Sequence, residues 1–129
     1  MSSFILDTHI LIWLAEDPNN LSQVALKCIH SDNKLFVSFA SVWEMAIKMK
    51  TGKLTLSFPL EEFIEKAVEK HALSYLQIFI EHIYHTQHLL IHHNDPFDRL
   101  LISQSIVEDI PIISSDEIFD AYGVKRIWR

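Results

Sequence analysis

Four acidic residues, far apart in the chain, could together hold a divalent metal ion: Asp7, Glu44, Asp98 and Asp116. Each one lies where a predicted strand ends or in the first turns of a predicted helix. In an open parallel sheet, such positions converge on one edge of the sheet. Carboxylate oxygens are hard ligands that suit Mg²⁺. The pattern therefore predicts a magnesium site, and the chemistry that it indicates is metal-assisted hydrolysis of a phosphodiester.

Three of these carboxylates also have an ordinary structural role available. Asp7 could cap a helix that begins at Thr8. Glu44 could form an ion pair with Lys48, which lies one turn further along the same helix. Asp98 falls in the first turn of a helix, where a negative charge compensates the helix dipole. Each residue alone is therefore weak evidence, and the prediction depends on their joint positions.

The fourth carboxylate, Asp116, follows a predicted strand as Asp7 does. Ser114 and Glu117 fit a capping box, and Ser114 could cap the next helix alone, which would leave Asp116 free for chemistry. Asp95 is a further carboxylate in the same part of the chain as Asp98. A helix cap is the simpler interpretation of Asp95, but whether Asp95 or Asp98 reaches the metal stays open.

Short apolar strands alternate with longer amphipathic helices along the chain. The predicted strands are residues 4–6, 35–39, 75–78, 111–114 and 126–128. The predicted helices begin at residue 8, with a break at 17–20, and continue at 21–31, 41–51, 59–71, 81–90, 95–109 and 116–121. This order predicts a three-layer α/β/α sandwich with a short, mainly parallel central sheet, and residues 1–129 are expected to form one domain.

Composition narrows the class of protein. Hydrophobic residues make up 49% of the 129 residues, which is enough for one packed core. The longest apolar run, residues 10–15, is far shorter than the roughly 20 residues that span a bilayer. We find no signal peptide pattern and therefore expect a cytoplasmic protein without membrane association. The net charge of -6 argues against a protein that coats nucleic acid, but not against a nuclease. Cys28 is predicted to be a buried structural thiol.

Histidines and lysines offer further candidates. His82, His85 and His88 spread around a helix too widely for one tetrahedral zinc site, so a solvated helical face is the simpler interpretation. His92 and His93 precede the turn at Asp95 closely enough to contact a phosphodiester substrate. A second group, made of lysines, follows Glu44 and could form a path for phosphate groups: Lys48, Lys50 and Lys53.

The chain resembles the PIN domain family, and in particular the VapC-type toxins of toxin–antitoxin pairs. The resemblance rests on residues 4–9 (FILDTH), 37–38 (VS), 41–48 (SVWEMAIK), 52–54 (GKL), 92–93 (HH), 95–102 (DPFDRLLI), 113–116 (ISSD) and 122–124 (YGV). It implies a magnesium- or manganese-dependent endoribonuclease that cuts structured RNA, such as transfer or ribosomal RNA. It also implies a cognate antitoxin that inhibits the enzyme, and a homodimer.

The resemblance assigns roles to individual residues. The family's catalytic and metal-binding acidic quartet matches a set of four positions: Asp7, Glu44, Asp98 and Asp116. We expect Asp7, Asp98 and Asp116 to bind the metal directly or through water, and Glu44 to orient water. Thr8 matches a position whose hydroxyl supports the first aspartate.

Apolar residues beyond the helical stripes could form a surface for another subunit, although ordinary core packing would also account for them: Trp13, Leu14, Trp43 and Ile47. Two rival functions also remain. One is a catalytically inactive PIN-like binding scaffold. The other is an aspartate-based phosphotransfer protein, which the absence of a second early aspartate disfavours.

Overall fold

A five-stranded parallel sheet forms the centre of the computed structural model, which describes residues 1–129. The strands are β1 (Ser3–Leu6), β2 (Lys34–Ser38), β3 (Ser74–Leu76), β4 (Ile112–Ile113) and β5 (Arg126–Ile127), in the spatial order β3-β2-β1-β4-β5. Leu6 at the end of β1 pairs with Val37 on one side and Ile113 on the other. The carboxyl ends of the three central strands are therefore level, and the residues that follow them emerge at one edge of the sheet.

Six α-helices connect the strands: α1 (Thr8–Glu16), α2 (Gln23–His30), α3 (Phe39–Lys50), α4 (Leu60–His71), α5 (Ile80–Thr86) and α6 (Pro96–Glu108). Two 3-10 segments, Pro18–Asn20 and Glu117–Tyr122, follow α1 and β4. None of these helices has the length and apolar character needed to cross a membrane.

Helices cover both faces of the sheet, because successive strand residues point in opposite directions. Phe4 and Leu6 belong to a cluster of 16 buried hydrophobic residues that also includes residues of α1 to α4. Ile5 belongs to a second cluster of 9, with residues of α6 such as Leu101. These two cores on opposite faces confirm the α/β/α sandwich, and every strand pair is parallel.

The helix after β2 begins earlier than predicted and buries a different stripe. Ser38 caps α3 by accepting a hydrogen bond from the backbone of Ala40, so the helix starts at Phe39. Met45 is buried as expected, but Ala46 is exposed. The inward positions of the first two turns include Ser41 and Glu44 instead. A polar stripe therefore faces inward at the level of the predicted site.

Three other local expectations change. α5 ends at Thr86 rather than residue 90, and the chain then turns so that several carbonyl groups face Arg99. Cys28 is half-buried against the larger core rather than fully buried. Leu14 is buried in that core, and Trp13 packs with its ring centroid 6.1 Å from that of Trp128. Leu14 and Trp13 therefore do not form the free apolar surface that the sequence suggested.

Candidate active site

The four predicted carboxylates meet in one cleft of about 260 Å³ at the carboxyl edge of the sheet. Asp7 directly follows β1, and Asp116 lies three residues beyond the end of β4. Glu44 enters from the second turn of α3, and Asp98 from the first turn of α6. Asp95 also lines the cleft. The fold thus brings together residues from four separate parts of the chain.

Asp7 is the most deeply buried of the four. Its side chain is 3% exposed, and its Oδ1 accepts a hydrogen bond of 2.7 Å from the backbone of Thr8. Its Oδ2 accepts one of 2.7 Å from the Ser114 hydroxyl. Burial raises the pKa of Asp7 from 3.8 to about 6, and repulsion from neighbouring carboxylates adds to the rise. The contact with Thr8 agrees with the predicted helix-capping role.

Glu44 is buried, although the sequence suggested a surface glutamate. Its Oε2 lies 2.7 Å from Nζ of Lys48, so the predicted ion pair is present. Its Oε1 accepts a hydrogen bond of 2.7 Å from the Thr8 hydroxyl, which also lies 2.9 Å from Oγ of Ser41. The Thr8 hydroxyl therefore supports Glu44, and not the first aspartate as the family resemblance implied. The hydrogen bond to Glu44 raises the pKa of Lys48.

Asp98 is half-buried, and its Oδ2 lies 2.6 Å from Nε2 of His93. Burial raises the pKa of Asp98 from 3.8 to about 7, with further repulsion from Asp7 and Asp95. Asp95 has the capping role that the sequence predicted, because its Oδ1 accepts a hydrogen bond of 2.8 Å from the backbone of Phe97. It nevertheless remains within the cleft.

Asp116 caps its own 3-10 segment, which corrects the predicted capping box. Its Oδ1 accepts a hydrogen bond of 3.2 Å from the backbone of Ile118. The Ser114 hydroxyl instead donates to Asp7, and accepts a hydrogen bond of 3.0 Å from the backbone of Asp116. Ser114 therefore contacts both Asp7 and Asp116. Its contact with Asp7 joins positions that are 107 residues apart in the chain. Sequence reasoning did not identify it.

A histidine that the sequence analysis missed also lies in the cleft. Nδ1 of His9 is 3.2 Å from Oδ2 of Asp7, and its Nε2 is 2.9 Å from Oγ of Ser115. Burial lowers the pKa of His9, so the ring is neutral at neutral pH. Its position two residues after Asp7 was the available sequence signal.

His82 corrects the prediction of a solvated histidine face on α5. Its side chain is fully buried. The backbone of Phe79 donates a hydrogen bond of 3.0 Å to its Nδ1, and its Nε2 lies 3.1 Å from Oε2 of Glu108. This histidine therefore joins the start of α5 to the last turn of α6.

The cationic residues divide into two groups. Lys48 and Lys53 line the cleft, whereas Lys50 is exposed and lies outside it. Arg99 forms no ion pair with Asp98. Its guanidinium donates to a set of backbone carbonyls: Thr86, Leu89, Leu90 and His93. Arg99 therefore holds the segment between α5 and α6 in place.

The donor set suits a divalent cation. The carboxyl groups of Asp7 and Asp98 have raised pKa values, because both are removed from water and lie near other carboxylates. Lys48 forms an ion pair with Glu44, but Asp7 and Asp98 have no lysine or arginine partner. A bound ion with two positive charges would offset that repulsion, and carboxylates are ligands that Mg²⁺ and Mn²⁺ accept.

Comparison with known proteins places these features in context. The family model described as PIN domain matches residues 4–125. Ribonuclease VapC22 of Mycobacterium tuberculosis (strain ATCC 25618 / H37Rv) is 28% identical over 69 residues. That alignment covers 54% of this chain and 53% of the relative, so the match spans about half of the relative's length.

Solved structures show the same fold at low sequence identity. VapBC2 from Rickettsia felis, bound to a DNA fragment from its promoter, has a TM-score of 0.69 at 14% identity, over 96% of both chains. VapBC-5 from Mycobacterium tuberculosis, of a family of toxin–antitoxin systems, has a TM-score of 0.64 at 14% identity over the whole of both chains. VapBC-1 from nontypeable Haemophilus influenzae has a TM-score of 0.62 at 15% identity, over 96% of both chains.

Proposed function

The chain belongs to the PIN domain family, and on this premise we propose that it is a magnesium- or manganese-dependent endoribonuclease and the toxin of a toxin–antitoxin pair. The observation that carries the proposal is the convergence of four carboxylates in one cleft: Asp7, Glu44, Asp98 and Asp116. The similarity to Ribonuclease VapC22 supports the nuclease activity, and the VapBC structures support the toxin assignment.

In this proposal Asp7, Asp98 and Asp116 hold the metal, directly or through water. A bound divalent ion would supply Lewis acidity at the phosphate and lower the pKa of an attacking water. Asp7 contributes a preorganised ligand, because Thr8 and Ser114 fix both of its oxygens. Hydrogen bonds of this kind restrict the carboxylate to one orientation before the substrate arrives.

Glu44 would orient the attacking water. The Thr8 hydroxyl and the Lys48 ammonium each contact one of its oxygens, so the carboxylate is held in one position at the cleft. Nζ of Lys48 also places a positive charge 2.7 Å from Oε2 of Glu44. An ionised carboxylate can accept a hydrogen bond from water, and can therefore direct a lone pair of that water toward the phosphate.

The proposed substrate is a structured RNA such as transfer or ribosomal RNA. The chain has a net charge of -6, so the approach of RNA requires positive charge near the site. Lys48 and Lys53 line the acidic cleft and supply it. We propose that Lys53 contacts a phosphate next to the one that is cleaved, because Lys53 has no acidic partner among the described ion pairs.

A cognate antitoxin and a second copy of the chain are the proposed protein partners, and the cytoplasm is the proposed location. Large apolar side chains remain exposed on two helices and could be covered by such partners. They are Phe39, Trp43 and Ile47 on α3, and Ile80, Ile83 and Tyr84 on α5. Trp43, at 57% exposed, contacts Phe97 edge-on with the ring centroids 5.0 Å apart.

Cleavage of transfer and ribosomal RNA by the purified protein, freed of antitoxin, tests the proposal. We expect discrete products with Mg²⁺ or Mn²⁺, and none with EDTA or with the Asp7→Asn variant. The exposed Asp32→Asn substitution removes the same charge away from the cleft and should leave cleavage unchanged. Intact RNA under every condition, from folded protein, would favour an inactive binding scaffold.

A further inference from the structure

We propose that Nε2 of His93 is a metal ligand, which makes the site a mixed nitrogen–oxygen site suited to a transition-metal ion. This inference rests on the proposed metal-dependent function and adds a ligand to the four carboxylates. The set that carries it is His93, Asp98 and Asp116, each of which offers one ligand atom.

The positions of the three donor atoms support a shared ion. They all lie within 4.8 Å of one another, and the two on His93 and Asp98 are 2.6 Å apart. Ligands that bind one ion at about 2.1 Å lie roughly 3 Å apart when adjacent and about 4.2 Å apart when opposite. Small side-chain rotations would therefore bring all three donors onto one ion. Asp98 and Asp116 also line the acidic cleft, so two of the three proposed ligands are shared with it.

The backbone of His93 is held in place by two residues outside the acidic set. The hydroxyl of Tyr122 accepts hydrogen bonds from the backbone N–H groups of His93 at 2.7 Å and of His92 at 2.9 Å. Arg99 donates to the carbonyl of His93 at 3.3 Å. Both backbone groups of His93 are thus fixed, and its ring is directed at Asp98. A ligand held in this way loses little conformational freedom when it binds a metal.

His92 provides a matched comparison within the same turn. It is exposed, and its ring packs against Tyr122 with the centroids 5.4 Å apart. His92 does not belong to the group of donors formed by His93, Asp98 and Asp116. The two histidines are adjacent and chemically identical, so a difference between their variants reports position alone.

A nitrogen ligand changes the expected metal preference. Imidazole suits transition-metal ions, whereas Mg²⁺ prefers a shell of oxygen atoms. We expect His93→Gln to weaken Mn²⁺ binding by at least about tenfold, a loss typical of residues that hold or orient a metal. Mg²⁺ binding should weaken less, because water can replace the nitrogen. Isothermal titration with each metal alone, in the absence of RNA, measures both effects.

Pulsed electron paramagnetic resonance of the Mn²⁺-loaded protein gives the direct test. A histidine nitrogen bound to Mn²⁺ produces a ¹⁴N modulation, which changes to that of ¹⁵N when the histidines are ¹⁵N-labelled. We expect this modulation in the wild-type protein and in His92→Gln, and its loss in His93→Gln. The loss in His93→Gln also distinguishes His93 from His9, the histidine that lines the cleft.

The outcomes separate this inference from the proposed function. Mn²⁺ that binds to the wild-type protein without ¹⁴N modulation would overturn the role of His93 and leave a carboxylate metal site. Modulation that persists in folded His93→Gln would do the same. A wild-type protein that binds no Mn²⁺ would overturn both proposals. If His93→Gln fails to fold, the wild-type modulation should persist in His9→Gln, and its loss there would overturn the role of His93.

Discussion

Replacement of Asp7 by asparagine is expected to stabilise the metal-free protein while it abolishes RNA cleavage. Asp7 is almost completely buried, and Glu44 and Asp116 add electrostatic repulsion to its desolvation. The ionised carboxylate therefore lowers the stability of the fold when no cation is bound. An asparagine of nearly the same shape removes the charge and keeps the side chain in place.

The size of the effect follows from the raised pKa. The pKa of Asp7 rises from 3.8 to about 6. At about 1.36 kcal/mol per pKa unit, the ionised form destabilises the folded protein by about 3 kcal/mol. Asparagine has one acceptor oxygen instead of two, so one of the hydrogen bonds from Thr8 and Ser114 is rearranged, at a cost of about 1 kcal/mol. The net gain at pH 8 is therefore about 2 kcal/mol.

The sign of the pH dependence follows from proton linkage. The pKa of Asp7 is higher in the folded protein than in the unfolded chain, so the folded state binds more protons between about pH 4 and pH 6. The stability of the wild-type protein relative to the variant therefore falls as the pH rises through this window. The advantage of Asp7→Asn should be complete above about pH 6 and absent near pH 4.

Urea unfolding in EDTA at pH 4.5 and pH 8 measures the difference, with Asp32→Asn as the control for a change in net charge. At pH 8, Mg²⁺ at ten times its Kd should then stabilise the wild-type protein by about 1.4 kcal/mol and the variant by much less. If Asp7→Asn is no more stable than the wild-type protein at pH 8, or if its gain is equal at both pH values, the reasoning from buried charge is wrong.

Three further predictions test the support of the site. Thr8→Val leaves Glu44 without its hydroxyl donor and should lower the free energy of unfolding by about 1 to 3 kcal/mol in urea titrations; unchanged stability would contradict the role of that contact. Lys53→Ala should reduce by about 1 the slope of the logarithm of the RNA binding constant against the logarithm of salt concentration, whereas Lys50→Ala should not change it. Equal slopes for the two variants would show that Lys53 does not contact a phosphate. In Arg99→Lys, the lysine side chain cannot reach all the carbonyls to which the guanidinium donates. Amide hydrogen exchange in residues 86–93 should therefore become faster, while exchange in α4 stays the same. Exchange at the wild-type rate in residues 86–93 would show that the segment does not depend on Arg99.

Local signals in the sequence were sufficient for the elements and for several caps. The alternation of apolar runs predicted each of the five strands within a few residues, because burial imposes a short period on strands. Asp95 and Pro96 predicted the start of α6, and the spacing of Glu44 and Lys48 predicted their ion pair. These features depend on residues within one helical turn of one another, so they can be predicted from the sequence alone.

The partners of the site residues could not be predicted in the same way. Thr8 contacts Glu44 across 36 positions, and Ser114 contacts Asp7 across 107. The family resemblance predicts a contact between Thr8 and Asp7 instead, and the spacing of Ser114 and Glu117 predicts a cap on the following helix. A hydroxyl has several acceptors within reach in a folded protein, and only the packing of the elements selects one of them.

The sequence by itself determined which residues lie at the ends of strands and the starts of helices, and hence that four carboxylates emerge near one edge of a parallel sheet. Only the tertiary structure decided how far each is buried, which hydroxyl holds it, and that His93 is directed at Asp98. The reason is that periodicity depends on neighbours along the chain, whereas desolvation and mutual repulsion depend on distances between groups that the fold alone brings together. The raised pKa values of Asp7 and Asp98 are the result of that convergence.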